Sequence, residues 1–161
     1  MSKSETGGLP LRHVVATLAY RGGKAIRGAP EEFSQFRPAE GSRSAGEILA
    51  HIGDLIDWAL SIARGQERWH NAKPGSWSED SERFHIALNA LDQYLASGET
   101  LHVPPERLFQ GALADALTHV GQIAMMRRLA GHKIRGENYY LAKIEAGRTG
   151  PEQAAPVREF N

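Results

Sequence analysis

Cysteine is absent from this 161-residue chain. That excludes a disulfide framework and every thiolate ligand, so a metal ion here must be held by His, Asp or Glu. An excess of either charge is also missing. The 19 Lys and Arg balance the 19 Asp and Glu, and nothing electrostatic points to a nucleic-acid groove. No apolar run approaches the roughly 20 residues of a membrane span. The opening stretch MSKSETGGLP lacks the hydrophobic centre of a signal peptide. A cytoplasmic protein without membrane or nucleic-acid partners is therefore expected. The chain also has no glycine-rich phosphate loop, no GxSxG and no HExxH. Its serines fall at helix caps rather than beside a histidine base, which leaves nucleophilic catalysis by a side chain without support. No segment alternates with period two over strand length, so no sheet is expected.

What the chain does have is helical periodicity. It is 41% hydrophobic and 24% charged, ordinary for a folded domain with a real core. Met1–Leu9 reads as a loose polar lead-in. Pro10 suits a first helical turn, and Leu11, Val14, Val15, Leu18, Ala25 and Ile26 carry a helix to about Arg27. Gly22 and Gly23 within it mark a kink or a close helix contact. Gly28–Ser42 reads as a loop. Ser44, with Glu47 three residues on, forms a capping-box pattern for a second helix that Gly65 closes. Gln66–Trp77 reads as another loop. Ser78, with Glu79 and Asp80, predicts the start of a third helix that stops at Gly98. Pro104 and Pro105 open a fourth, ended by Gly131. The expected fold is all-α: a four-helix bundle over residues 1–131, followed by a partly irregular C-terminal extension, 132–161. Tyr139, Tyr140, Leu141 and Ile144 could dock that extension on the bundle or on a partner subunit.

The candidate chemistry lies on the second and fourth helices. On a helical wheel Asp115 and His119 fall beside Leu108, Ala112, Ile123 and Met126, inside the expected buried arc. A buried carboxylate costs several kcal/mol unless it is paired or coordinates a metal. His51 lies at the edge of the apolar stripe of the second helix. Two readings follow. In one, His51, Asp115 and His119 form a structural hydrogen-bonded network in a non-catalytic helical module. In the other, two imidazoles and a carboxylate from two helices make a facial set for a divalent ion, with Zn²⁺ or Ni²⁺ first and Fe²⁺ as a further option. Three protein ligands leave positions open for water or a small-molecule substrate. Gln122, one turn after His119, could orient His119 or donate to substrate. Glu47 and Asp54 flank His51 and could accept its second ring N–H. Trp58 and Met126 would shape the pocket, and His85, next to Phe84, could face it. His13, His70, His102 and His132 read as surface residues, and the Met125–Arg128 run reads as core with solvated ends.

The second-helix segment GEILAHIGDL and the later THVGQIAMMRRLAG, with its H-x-G-Q turn, resemble the DinB-like superfamily of metal-binding four-helix bundles. The resemblance covers about Leu11 to Gly131. It implies a metal held by one histidine of the second helix and two histidines four residues apart on the last. His51 and His119 match that pattern. Asp115 stands where many relatives carry histidine, which lowers the positive charge of the site by one unit. The resemblance further implies a homodimer, and a thiol-dependent S-transferase or isomerase activity with a low-molecular-weight thiol. Metal-assisted hydrolysis is the less favoured chemistry. A second apolar strip, Leu113, Leu117, Val120 and Ala124, could be covered by a neighbouring helix or by a second subunit.

Overall fold

The computed structural model describes residues 10–161, so the expected lead-in Met1–Leu9 lies outside the described residues. Among the described residues the chain is helical apart from one short ladder. α1 spans Leu11–Ile26, α2 Ala45–Ala63 and α3 Trp77–Ala96. α4 (Pro105–Leu108) runs through a π-helical turn (Phe109–Leu113) directly into α5 (Ala114–Leu129). α1 and α2 each pack against both α3 and α5, and their facing stripes share one apolar core. Leu18, Ile52, Ile56, Phe84, Leu88, Leu91, Leu113 and Ile123 are all fully enclosed there.

The helix starts follow local chemistry. Ser44 and Glu47 form the expected reciprocal cap on α2. α3 begins two residues earlier than expected: Ser76, not Ser78, is its cap, and Glu79 closes the box. The carboxylate of Glu31, in a short 3₁₀ turn (Glu31–Gln35) inside the first loop, accepts from the backbone N–H of Trp77 and Ser78. The N-terminal amides of α3 thus find acceptors in both a local cap and a distant one.

Two further expectations are corrected. Arg127 is buried rather than solvated. Its guanidinium donates to the carbonyls of Ala25, Arg27 and His132, so one side chain of α5 holds the C-terminal end of α1 and the turn that follows α5. A sheet does exist: Gly136–Glu137 pairs antiparallel with Glu159–Phe160. Two residues per strand are too few to show any alternation in sequence. Of the two alternatives for the second apolar strip, the neighbouring helices take Leu113 and Val120, which are buried within the chain itself.

The close approach anticipated at Gly22 and Gly23 is real at Gly22, where a methyl group would overlap Cζ of the enclosed Phe84 ring. The C-terminal extension is fastened to α1 by a buried polar cluster. Tyr20 donates to Glu137 Oε1 at 2.5 Å, and Lys24 Nζ donates to Glu137 at 2.8 Å and to Glu159 at 2.9 Å. Tyr139 packs edge-on against Tyr20 under the guanidinium of Arg21. Tyr140 is fully exposed and Leu141 partly so. No helix among the described residues is long and apolar enough to cross a membrane.

Candidate metal centre

The second turn of α2 and the first turns of α5 bring His51, Asp115 and His119 together, with one ligating atom of each within 4.8 Å of the others. His119 Nε2 lies 3.5 Å from Asp115 Oδ1, and His51 Nε2 lies 4.0 Å from Asp115 Oδ2. The two imidazoles meet edge to face, with centroids 4.8 Å apart. None of the three pairs forms a hydrogen bond with good geometry. Donors bound to one ion at about 2.0–2.2 Å would stand roughly 3–3.5 Å apart, so a small contraction of this cluster suffices. Two neutral imidazole nitrogens and a carboxylate oxygen are the right donor set for a divalent transition ion.

Asp115 departs from the buried position expected of it, because its side chain is 50% exposed. The π-helical turn just before α5 is the reason. It takes up an extra residue, and each residue advances an α-helix by about 100°. Asp115 therefore loses the phase of the fully enclosed Leu108 and swings to the rim. The desolvation cost expected of a buried acid is largely absent, and the case for the site rests on convergence. The imidazoles are better enclosed, at 19% exposed for His51 and 13% for His119. Burial, then the neighbouring His119, then the Arg43 charge depress the pKa of His51 below its ordinary value, against the opposing pull of Asp115 and Asp54. The neutral, ligand-competent ring is favoured.

Gln122 does what its spacing suggested: its Oε1 accepts from His119 Nδ1 at 2.7 Å. That bond puts the proton of the neutral ring on Nδ1 and leaves the Nε2 lone pair facing Asp115. The partners proposed for His51 are engaged elsewhere. Glu47 caps α2 and pairs with Arg37. Asp54, almost fully buried, accepts from Arg83 at 2.7 Å and from the backbone of Ala72 at 3.1 Å. Met126 is buried at the edge of the groove that His119 also lines. Trp58 lies one step back from the site, against Trp69. His85 faces away from it, on α3, where its Nδ1 donates to the carbonyl of Thr149.

Two contributors were not anticipated from the sequence, Trp69 in the loop after α2 and Arg83 on α3. Trp69 packs against His51 with ring centroids 5.7 Å apart and walls the site. It is held there because Ser61 Oγ accepts from the Arg68 amide, Asp54 accepts from that of Ala72, and Trp58 Nε1 donates to Glu67. Arg83 ties the same region from α3. It donates to Asp54, Asp57 and the carbonyl of Ala50, next to His51, and a Cβ at Gly53 would collide with it. The aromatic residue in a loop after a histidine-bearing helix was the one available signal for Trp69; nothing local marked Arg83. Comparison of the chain with protein-family models, curated proteins and solved structures returned no match.

Proposed function

We propose that this chain is a DinB-like four-helix bundle that binds one divalent metal ion through His51, Asp115 and His119 and acts on a small molecule as a metal-dependent enzyme. The observation carrying the reading is the His119–Gln122 hydrogen bond, which engages Nδ1 and turns Nε2 toward the space shared with Asp115 and His51. A structural histidine–acid network would be expected to close its own hydrogen bonds. Here the imidazole–carboxylate distances of 3.5 and 4.0 Å stay open.

A divalent ion in this position supplies Lewis acidity that brings the pKa of a coordinated water or thiol toward neutrality. His51 and His119 contribute neutral donors, and Asp115 cancels one of the two positive charges. Gln122 fixes the ring of His119. Trp69 limits solvent on the His51 side, and the half-exposed Asp115 leaves the approach open to substrate. Zinc or nickel suits this donor set, with iron a further option. Thiol-dependent S-transfer or isomerisation, with a low-molecular-weight thiol as co-substrate, is the chemistry we favour on the motif resemblance. Homodimerisation belongs to the same proposal.

The test is metal analysis of untagged protein purified without a nickel column. About one equivalent of ion is expected, lost in His51→Ala and in His119→Ala while far-UV circular dichroism keeps its helical signal. Metal-free wild-type protein that also fails to take up added zinc or nickel would return the cluster to a purely structural role.

A further inference from the structure

Beside the histidine cluster a groove of about 410 Å³ runs along α5. At one end it is lined by His119, Gln122 and Arg43, and at the other by Met125, Met126 and Leu129. From His119 to Leu129 the helix rises about 15 Å. Met125 and Leu129 are more than half exposed, an uncommon state for two neighbouring large apolar side chains beside a polar cluster.

The polar end carries uncommitted donors. Among the described residues Arg43 has neither an ion-pair partner nor a side-chain hydrogen bond. Glu47, four residues further along, is already engaged with Arg37. Gln122 spends its oxygen on His119, which leaves its amide N–H groups without an acceptor among the described residues. Resting on the metal reading above, a divalent ion less the Asp115 charge adds a further positive unit at the same end.

We infer that this groove binds a small amphipathic carboxylate, its head between Arg43 and the Gln122 amide at the His119 end and its apolar body along Met125, Met126 and Leu129. A planar guanidinium matches a carboxylate with two parallel hydrogen bonds, and the thioether wall accommodates an irregular apolar body. The substrate class of the proposed enzyme is thereby narrowed from any small molecule to a monoanion with an apolar tail.

Methionine labelling tests this directly. The chain has three methionines, and two of them, Met125 and Met126, line the groove. Full-length protein carrying ¹³C-methyl methionine is titrated with octanoate and, separately, with 1-octanol. Each titration is run on zinc-treated and chelator-stripped samples whose zinc content is measured. Octanoate is expected to shift both groove methyls saturably. Arg43→Gln is expected to weaken octanoate about tenfold or more, the scale of losing one charged hydrogen-bonding partner, and octanol to bind correspondingly worse than octanoate. Met125→Glu, at an exposed position the fold does not need, is expected to abolish the shift of the remaining Met126 methyl. The inference is overturned if neither groove methyl responds, if Arg43→Gln binds octanoate as wild type does, or if octanol matches octanoate. Failure of the metal reading registers separately, as absent zinc uptake. In that case the stripped-protein titration decides the groove by the same three criteria.

Discussion

Replacing Lys24 with methionine probes the attachment of the C-terminal extension. The side chain of Glu137 is fully enclosed and that of Lys24 is 7% exposed. Glu137 and Glu159 stand directly opposite each other on the two-stranded ladder, an arrangement that repels unless a cation lies between them. Lys24 Nζ fills that role, bonded to both at 2.8 and 2.9 Å. Burial works against charge on Lys24, but the bonds from Glu137 and Glu159 outweigh it and hold its pKa above the ordinary value. Burial, reinforced by the bond to Glu137, likewise raises the Tyr20 phenol, which therefore stays a donor. Lys24→Met leaves Glu137 with Tyr20 alone and exposes it to Glu159. Breaking a buried pair from one side costs about 3–5 kcal/mol. At about 2–4 °C per kcal/mol for a chain of this size, the melting temperature falls by roughly 6–20 °C. Glu137→Gln costs less, because Lys24 keeps Glu159. The double variant is expected to be less destabilised than the sum of the two, with a coupling of about 1–3 kcal/mol. Urea denaturation of the four proteins measures the free energies and their coupling, and thermal unfolding measures the melting temperatures. A Lys24→Met cost below about 1 kcal/mol, or strict additivity of the pair, would refute the reasoning.

Other predictions concern packing, pH and the ion. Gly22→Ala gains about 1 kcal/mol of helix propensity but overpacks against the enclosed Phe84 at about 1–3 kcal/mol, so a net loss is expected in the urea midpoint. Gly23→Ala meets only an ordinary contact, 3.6 Å from His85, and is expected to be neutral or stabilising. Burial depresses the pKa of His85, with the Thr149 carbonyl opposing, so the unfolded chain binds the extra proton first. Stability is therefore present above about pH 6.5 and declines as pH falls below it. His85→Asn is expected to flatten that decline between about pH 7 and 5, and an unchanged slope would assign it elsewhere. Gln122→Ala is expected to lower zinc affinity about 10–100-fold with helix content intact, the usual scale for losing the group that orients a ligand. Competition with a chromogenic chelator reads it.

The helices were legible because their ends and faces are written locally. The Ser44–Glu47 cap and the apolar stripes of α1, α2 and α3 need only neighbours three or four residues away. The same rule, applied strictly, favours Ser76 over Ser78, since Glu79 stands three residues beyond Ser76. Of the site, the imidazoles and Gln122 were visible as a spacing. Three things were not. The exposure of Asp115 depends on a π-helical turn that no simple 3.6 period contains. Trp69 reaches His51 through bonds made by residues 54, 58 and 61 to the loop. Arg127 looked like a solvated end because its partners, the carbonyls of residues 25 and 27, lie about a hundred positions away in the chain.

The widened turn at Phe109–Leu113 also makes this stretch intolerant of length change. Deleting one residue there, Gly111 for instance, would let the segment relax to ordinary α geometry, yet it would force a choice. If the downstream half keeps its seat, Leu108 rotates out of the interior. If the upstream half keeps its seat, the acid and imidazole turn off the axis on which His51 meets them. The extra residue thus acts as a phase adjuster between two halves of one rod, and substitutions in it will be tolerated far better than insertions or deletions.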